Sequence, residues 1–182
     1  LNTNQIEKTW QQMNLAHERG ADALWIVNVG DIKPMEFPIS FFLDMAWSPQ
    51  GMTPAALAAY PADWAARTFG PAHGAEIGEL LTLYSQYAAR RKPELIDPTS
   101  FPLGVASADA LDGGDLGRRV AEWDALQARV EKTKAALRSD QLDAYFQLVE
   151  HPVLALANLY RLHYAAAWNQ RLARAGDARE RR

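Results

Sequence analysis

A short loop, residues 28–38, holds most of the side chains in this chain that could carry out chemistry. It contains carboxylates at Asp31 and Glu36 and an ammonium group at Lys33. Two carboxyl groups can act as general acid and general base, and a lysine can hold an anion. Asn28 can donate a hydrogen bond from the start of the loop. These residue types together predict a binding or catalytic loop.

The same loop has a plainer interpretation. Asp31 can cap a turn, and Lys33 with Glu36 can form a surface ion pair, because charged loops are common and spacing within a loop fixes no geometry. No other motif competes with it. The four histidines lie far apart and lack zinc-helix spacing, and there is no glycine-rich phosphate loop or nucleophile elbow. We therefore expect no metal and no cofactor.

The segment before the loop predicts a β-strand. Residues 22–29 include an apolar run, Ala23 to Val27, that does not alternate with polar residues, as in a strand buried on both faces of a parallel sheet. Loops at the carboxyl ends of such strands are where ligands bind. A lone strand leaves its backbone groups unsatisfied. We therefore expect the rest of the sheet in a longer protein, of which the chain from Leu1 is a part, or in another chain.

The rest of the sequence predicts helices separated by proline and glycine. A capping box at Asn4 and Glu7 predicts the start of the first helix. Thr53 followed by Pro54 predicts another helix start, and Gly70 a stop. The predicted helices cover residues 4–19, 39–47, 53–69, 73–91, 115–137, 139–150 and 153–175. Residues 97–114 predict a long loop, and 176–182 a charged tail.

Composition excludes several classes of function. With 19 basic and 22 acidic residues the net charge is −3, which argues against nucleic-acid binding by bulk positive charge and against a polybasic membrane anchor. The sequence has no cysteine, which excludes disulfides, thiolate metal sites and cysteine nucleophiles. No apolar run approaches the roughly 20 residues that span a bilayer.

The loop belongs to a longer block, Leu24 to Asp44, that has a recognisable sequence. Further blocks follow the same order along the chain: Leu1–Asn4 before it, then Arg90–Glu94, Gln147–Val149, His151–Val153 and Asn158–Tyr160. Together they closely resemble the xylan α-1,2-glucuronidases of glycoside hydrolase family 115. The similarity covers most of the chain and is loose over residues 97–136.

This resemblance implies a fold. In that family a (β/α)8 barrel carries the active site and a helical domain follows it. Residues 1–50 would then be the C-terminal end of the barrel, with 22–29 as the eighth strand and 39–48 as the last barrel helix. Residues 51–175 would form a helical bundle domain. The expected fold is therefore mainly α, the last βα unit of a (β/α)8 barrel followed by a bundle.

The resemblance also implies a function, the removal of glucuronic acid or its 4-O-methyl form from xylan side chains. Its implied site comprises two catalytic candidates and four substrate-binding candidates: Asp31 and Glu36, then Asn28, Lys33, Asn2 and Asn4. The expected partners are glucuronoxylan or its oligosaccharides and the rest of the barrel, with a homo-oligomer possible. The resemblance implies a periplasmic or secreted location. Because the earlier strands are missing, we expect this chain alone to be inactive. The alternative is a non-catalytic helical scaffold.

Overall fold

The structure is a computed structural model that describes residues 2–105 and 112–175. Helices make up 73% of the described residues, which confirms the mainly helical prediction. The α-helices are α1 (Ile6–Glu18), α2 (Glu36–Trp47), α3 (Pro54–Phe69), α4 (Gly74–Ala88), α5 (Gly114–Lys134), α6 (Leu142–Tyr145) and α7 (His151–Ala175). A π-helical turn, Phe146–Glu150, joins α6 to α7. Short 3-10 turns lie at Pro49–Gly51, Pro71–His73, Pro93–Leu95 and Ser139–Gln141.

Helices α3 and α4 form a hairpin whose boundaries follow from local sequence. The Thr53 hydroxyl accepts a hydrogen bond from the Ala56 amide at 3.2 Å and caps the start of α3, as predicted. Gly70 ends α3 with a φ of 93°, a conformation that favours glycine. The two helices pack backbone to backbone at Gly78, where an added Cβ would lie 2.6 Å from the Ala62 backbone. Glycine is therefore required at this crossing.

The hydrophobic core lies where α3, α4, α5 and α7 meet. Trp123 of α5 is fully buried, and its ring lies edge-on to Tyr84 and Tyr87 of α4. Tyr160 of α7 contacts the same tryptophan, with 5.6 Å between ring centroids. Although α7 is long and rich in apolar residues, no helix in the described part of the chain is long and apolar enough to cross a membrane.

Helices α1 and α2 pack on this core rather than forming one of their own. Phe37 and Phe41 of α2 contact Tyr60 of α3, and both join the same buried cluster as Trp123. Trp10 of α1 donates its indole N–H to the Met52 carbonyl oxygen at 2.6 Å. The domain boundary predicted at residue 50 remains a prediction, and the charged tail 176–182 lies outside the described residues.

The strand predicted over residues 22–29 is not formed, since no described residue belongs to a β-strand. Within the described ranges, residues 22–31 make no backbone–backbone hydrogen bond. Leu24 and Ile26 are 75% and 85% exposed. The physical reason is that a strand exists only through hydrogen bonds to a neighbouring strand, and this structure supplies no neighbour. The predicted last βα unit of a barrel is therefore not confirmed by this structure.

Two helix starts differ from prediction. Helix α1 begins at Ile6 with Gln5 as its N-cap residue, so the predicted capping box is not formed, and the Asn4 backbone amide donates to Asn2 Oδ1 at 3.1 Å. Helix α2 begins at Glu36, three residues before the predicted position. Proline at residue 38 is compatible with this earlier start, since the first amides of a helix have no intrahelical acceptor. Glu36 therefore belongs to the first turn of α2.

Candidate functional site

The loop begins with a tight turn at Asn28. The Asn28 Oδ1 accepts a hydrogen bond from the Gly30 amide at 3.0 Å, and Gly30 has a φ of 64°. This is an Asx turn, in which a side-chain oxygen replaces a backbone acceptor, and its third residue needs the left-handed conformation that glycine tolerates. Among the described residues the Asn28 amide nitrogen has no partner. The turn therefore leaves an exposed Nδ2 donor available to a ligand.

Lys33 and Glu36 form a closed ring of hydrogen bonds with Gln147. The Lys33 ammonium donates to Glu36 Oε1 and to Gln147 Oε1, both at 3.1 Å. The Gln147 amide nitrogen donates to the same Glu36 oxygen. The second oxygen, Glu36 Oε2, is buried and has no hydrogen-bond partner in the described part of the structure. The ring confirms the predicted Lys33–Glu36 ion pair but adds a third member.

Gln147 is the residue that sequence reasoning missed. It lies in the π-helical turn Phe146–Glu150, more than 100 residues from the loop. A π-helical turn inserts an extra residue into a helix and occurs often at functional sites. The only signal in the sequence was the block Gln147–Val149, which resembles family 115 but indicates no contact with the loop.

A small cleft is lined by residues from both ends of the loop. Its volume is about 180 Å³, below the roughly 300–1,000 Å³ typical of ligand pockets. The polar side chains at its edge are Asn4, Thr9 and Asn28. Its apolar walls are formed by Val27, Val29, Met35, Pro38, Ile39 and Phe42. Amide groups beside an apolar surface can bind a small polar ligand, but the volume is that of a partial site.

The remaining predicted residues are distributed around this cleft and ring. Asn2 is buried, and its Oδ1 accepts a hydrogen bond from the backbone amide of Asn4. The neighbouring Thr3 hydroxyl accepts from the Lys92 ammonium at 3.0 Å, which ties the N-terminal segment to the end of α4. Asp31 is exposed and has no ion pair within the described residues. The structure therefore brings Asn4 together with Asn28, and Lys33 together with Glu36, and leaves Asp31 apart.

Helix α2, which carries Glu36, is fixed to α3 by a polar contact. The Tyr60 hydroxyl donates to Asp44 Oδ2 at 2.7 Å, and Arg67 lies 3.8 Å from the same oxygen. Burial, reinforced by the hydrogen bond to Asp44, raises the pKa of the Tyr60 hydroxyl, so it remains a donor at all physiological pH values. This contact orients α2 and with it the loop.

A family model described as glycosyl hydrolase family 115 matches residues 1–95, just over half of the chain. The chain belongs to glycosyl hydrolase family 115. No curated protein matches it. The family 115 match includes every site residue predicted from the sequence, whereas Gln147 lies beyond it.

The geometry of the family 115 loop limits its chemistry. The Glu36 carboxylate accepts hydrogen bonds from both Lys33 and Gln147. In this arrangement it therefore holds these two side chains in place. Lys33 remains 73% exposed and presents a fixed positive charge. Among the described residues no group of three histidine, aspartate or glutamate side chains could hold a metal ion. The exposed part of the Lys33 side chain is therefore the part of the ring that a ligand can reach.

Proposed function

We propose that this chain supplies part of the sugar-binding site of an enzyme that removes glucuronic acid, or its 4-O-methyl form, from xylan. The observation that carries the proposal is the family 115 match, which includes the whole loop. Glucuronate carries a carboxylate, and the exposed ammonium of Lys33 is suited to bind it. The Asn4 and Asn28 side chains provide donors and acceptors for sugar hydroxyl groups. Buried Asn2 would support Asn4.

The catalytic machinery requires more than this loop. An inverting glycosidase places two carboxyl groups roughly 6.5–9.5 Å apart on opposite sides of the scissile bond. Asp31 and Glu36 are our candidates for acid–base chemistry, but they share one short loop and cannot flank a sugar unaided. We propose that at least one further carboxylate comes from another strand of a (β/α)8 barrel. This chain alone would then be inactive.

The exposed apolar segment supports the same proposal. Leu24, Ile26 and Ile32 are each at least two-thirds exposed, and residues 22–31 make no backbone–backbone hydrogen bond within the described structure. A barrel would pair this segment as its eighth strand and bury these side chains. Two alternatives compete with this proposal. The segment could pair with a second copy of the chain, or it could have no partner, as expected for a helical scaffold.

The test is steady-state kinetics of the longer protein that includes the barrel strands, with glucuronoxylan oligosaccharides as substrate. Asp31→Asn or Glu36→Gln should lower kcat by about 10²–10⁴-fold if that carboxylate transfers a proton. Lys33→Ala should instead raise KM, because it removes a charge that binds substrate and transition state alike. Lys132→Ala, an exposed lysine on α5, is the matched control. Wild-type kinetics in all three loop variants would contradict the proposal.

A further inference from the structure

The ring of Lys33, Glu36 and Gln147 joins two distant parts of the chain. Lys33 and Glu36 belong to the loop and the first turn of α2, whereas Gln147 comes from the π-helical turn before α7. Both polar atoms of the Gln147 amide are used, the oxygen as acceptor from Lys33 and the nitrogen as donor to Glu36. Because Gln147 hydrogen-bonds to both charged residues, it fixes the position of the Lys33 ammonium relative to the Glu36 carboxylate.

Lys33 needs such restraint if it is to recognise an anion. A lysine side chain is flexible, and fixing it costs rotamer entropy. Glu36 alone would provide one acceptor, and an exposed lysine–glutamate pair contributes little and exchanges readily. Gln147 Oε1 provides a second acceptor for the ammonium, and the Lys33 side chain as a whole remains 73% exposed. Two fixed acceptors preorganise the cation before a ligand arrives.

We propose that Gln147 is a positioning residue that holds the Lys33 ammonium, through itself and through Glu36, in the orientation that binds a sugar carboxylate. The role in sugar binding rests on the function proposed above, whereas the positioning of Lys33 does not. The π-helical turn is the structural device that directs the Gln147 side chain toward the loop instead of continuing the helix regularly.

A second glutamine provides a matched control for a purely structural role. Gln141 lies in the same region, is buried, and donates to the Phe69 carbonyl oxygen at 2.8 Å. Its side chain also accepts from the Arg138 amide. Gln141→Met should therefore lower stability without affecting Lys33. Gln147→Met removes the ring and keeps the side-chain length.

The first experiment needs no sugar and uses this chain. The sequence has five lysines, so their ammonium groups can be resolved in ¹H–¹⁵N spectra and Lys33 assigned by Lys33→Arg. An ordered, hydrogen-bonded Lys33 signal is expected in the wild type and in Gln141→Met, and its loss in Gln147→Met. A Lys33 signal that is absent from the wild type, or unchanged in Gln147→Met, would overturn the proposal.

The second experiment measures kinetics in the longer protein. Gln147→Met should raise KM for the charged sugar roughly fivefold, the value of one net hydrogen bond, with kcat less affected. The exchange Glu36→Gln with Gln147→Glu keeps one acid, one amide and the net charge, and should return KM to within about twofold even where the loss of the Glu36 carboxylate lowers kcat. An unchanged KM in Gln147→Met, or no recovery in the exchange, would contradict the role in binding. If the wild type releases no glucuronic acid, the proposed function fails while the ammonium spectra still decide the positioning.

Discussion

The helical core and the segment of residues 21–32 are both rich in large apolar side chains, yet they behave in opposite ways. Ile77 of α4 is fully buried, whereas Ile26 of the segment is 85% exposed. A helix satisfies its own backbone and needs only a partner surface, which α3, α5 and α7 provide. The segment needs a neighbouring strand for its backbone as well. Apolar composition thus indicates that a region is to be buried, but not that this chain can bury it.

The largest expected effect comes from truncating the same residue in both regions. Ile77→Ala should destabilise the chain by about 2–5 kcal/mol, because it leaves a cavity in a packed core. Ile26→Ala should change the free energy of unfolding by less than about 0.5 kcal/mol, since the side chain has little to lose. Urea denaturation followed by circular dichroism measures both. Equal effects would show that the segment is buried in solution by a partner, such as a second copy.

A smaller effect is expected from adding one methyl group at two helical glycines. Gly78→Ala should destabilise by about 1–3 kcal/mol, since its Cβ would overlap the backbone of Ala62 across the α3–α4 hairpin. At Gly117 the nearest atoms, those of Tyr164, lie 3.5 Å or farther away, so Gly117→Ala should stabilise by roughly 0.5–1 kcal/mol. Thermal unfolding of the two variants separates these signs. A neutral Gly78→Ala would disprove the close approach of the two helices.

The smallest effect concerns a hydroxyl group buried in the core. Burial raises the pKa of Tyr84 above its ordinary value of 10, and its hydroxyl has no hydrogen-bond partner among the described residues. The unfolded chain therefore releases this proton first, and stability falls as the pH rises above about 10. Tyr84→Phe should be nearly neutral at pH 7 and should reduce the loss of stability between pH 10 and 11 by roughly 1 kcal/mol. Urea denaturation at the three pH values measures this, and an unchanged pH dependence would contradict burial of the hydroxyl.

Much of the helical part could be predicted because its signals are local. Thr53 caps α3 and Gly70 ends it, and both rules depend on the backbone within four residues. Proline is disfavoured inside a helix, yet Pro61 lies within the continuous helix α3, because the packing of α4 against α3 outweighs its local cost.

The predicted site residues stay a prediction, and the contact that sequence reasoning missed has a physical explanation. The plainer interpretation of the loop already included the Lys33–Glu36 ion pair, because the two opposite charges are close in sequence. Gln147 could not be anticipated, because a contact across more than 100 residues leaves no periodicity in the sequence. The strand over residues 22–29 was wrong for this chain for a related reason. A strand forms only beside neighbouring strands, and the sequence of the segment does not determine whether those strands are present.

The Lys33–Glu36–Gln147 ring also has a consequence for the order of events during synthesis. The loop leaves the ribosome more than 100 residues before Gln147, and N-terminal portions emerge and begin to fold first. Closing so long an interval is entropically unfavourable and is compensated only when the intervening helices have docked. The loop is therefore translated early but completed late, and in a nascent chain that ends before the π-helical turn Lys33 lacks its second acceptor.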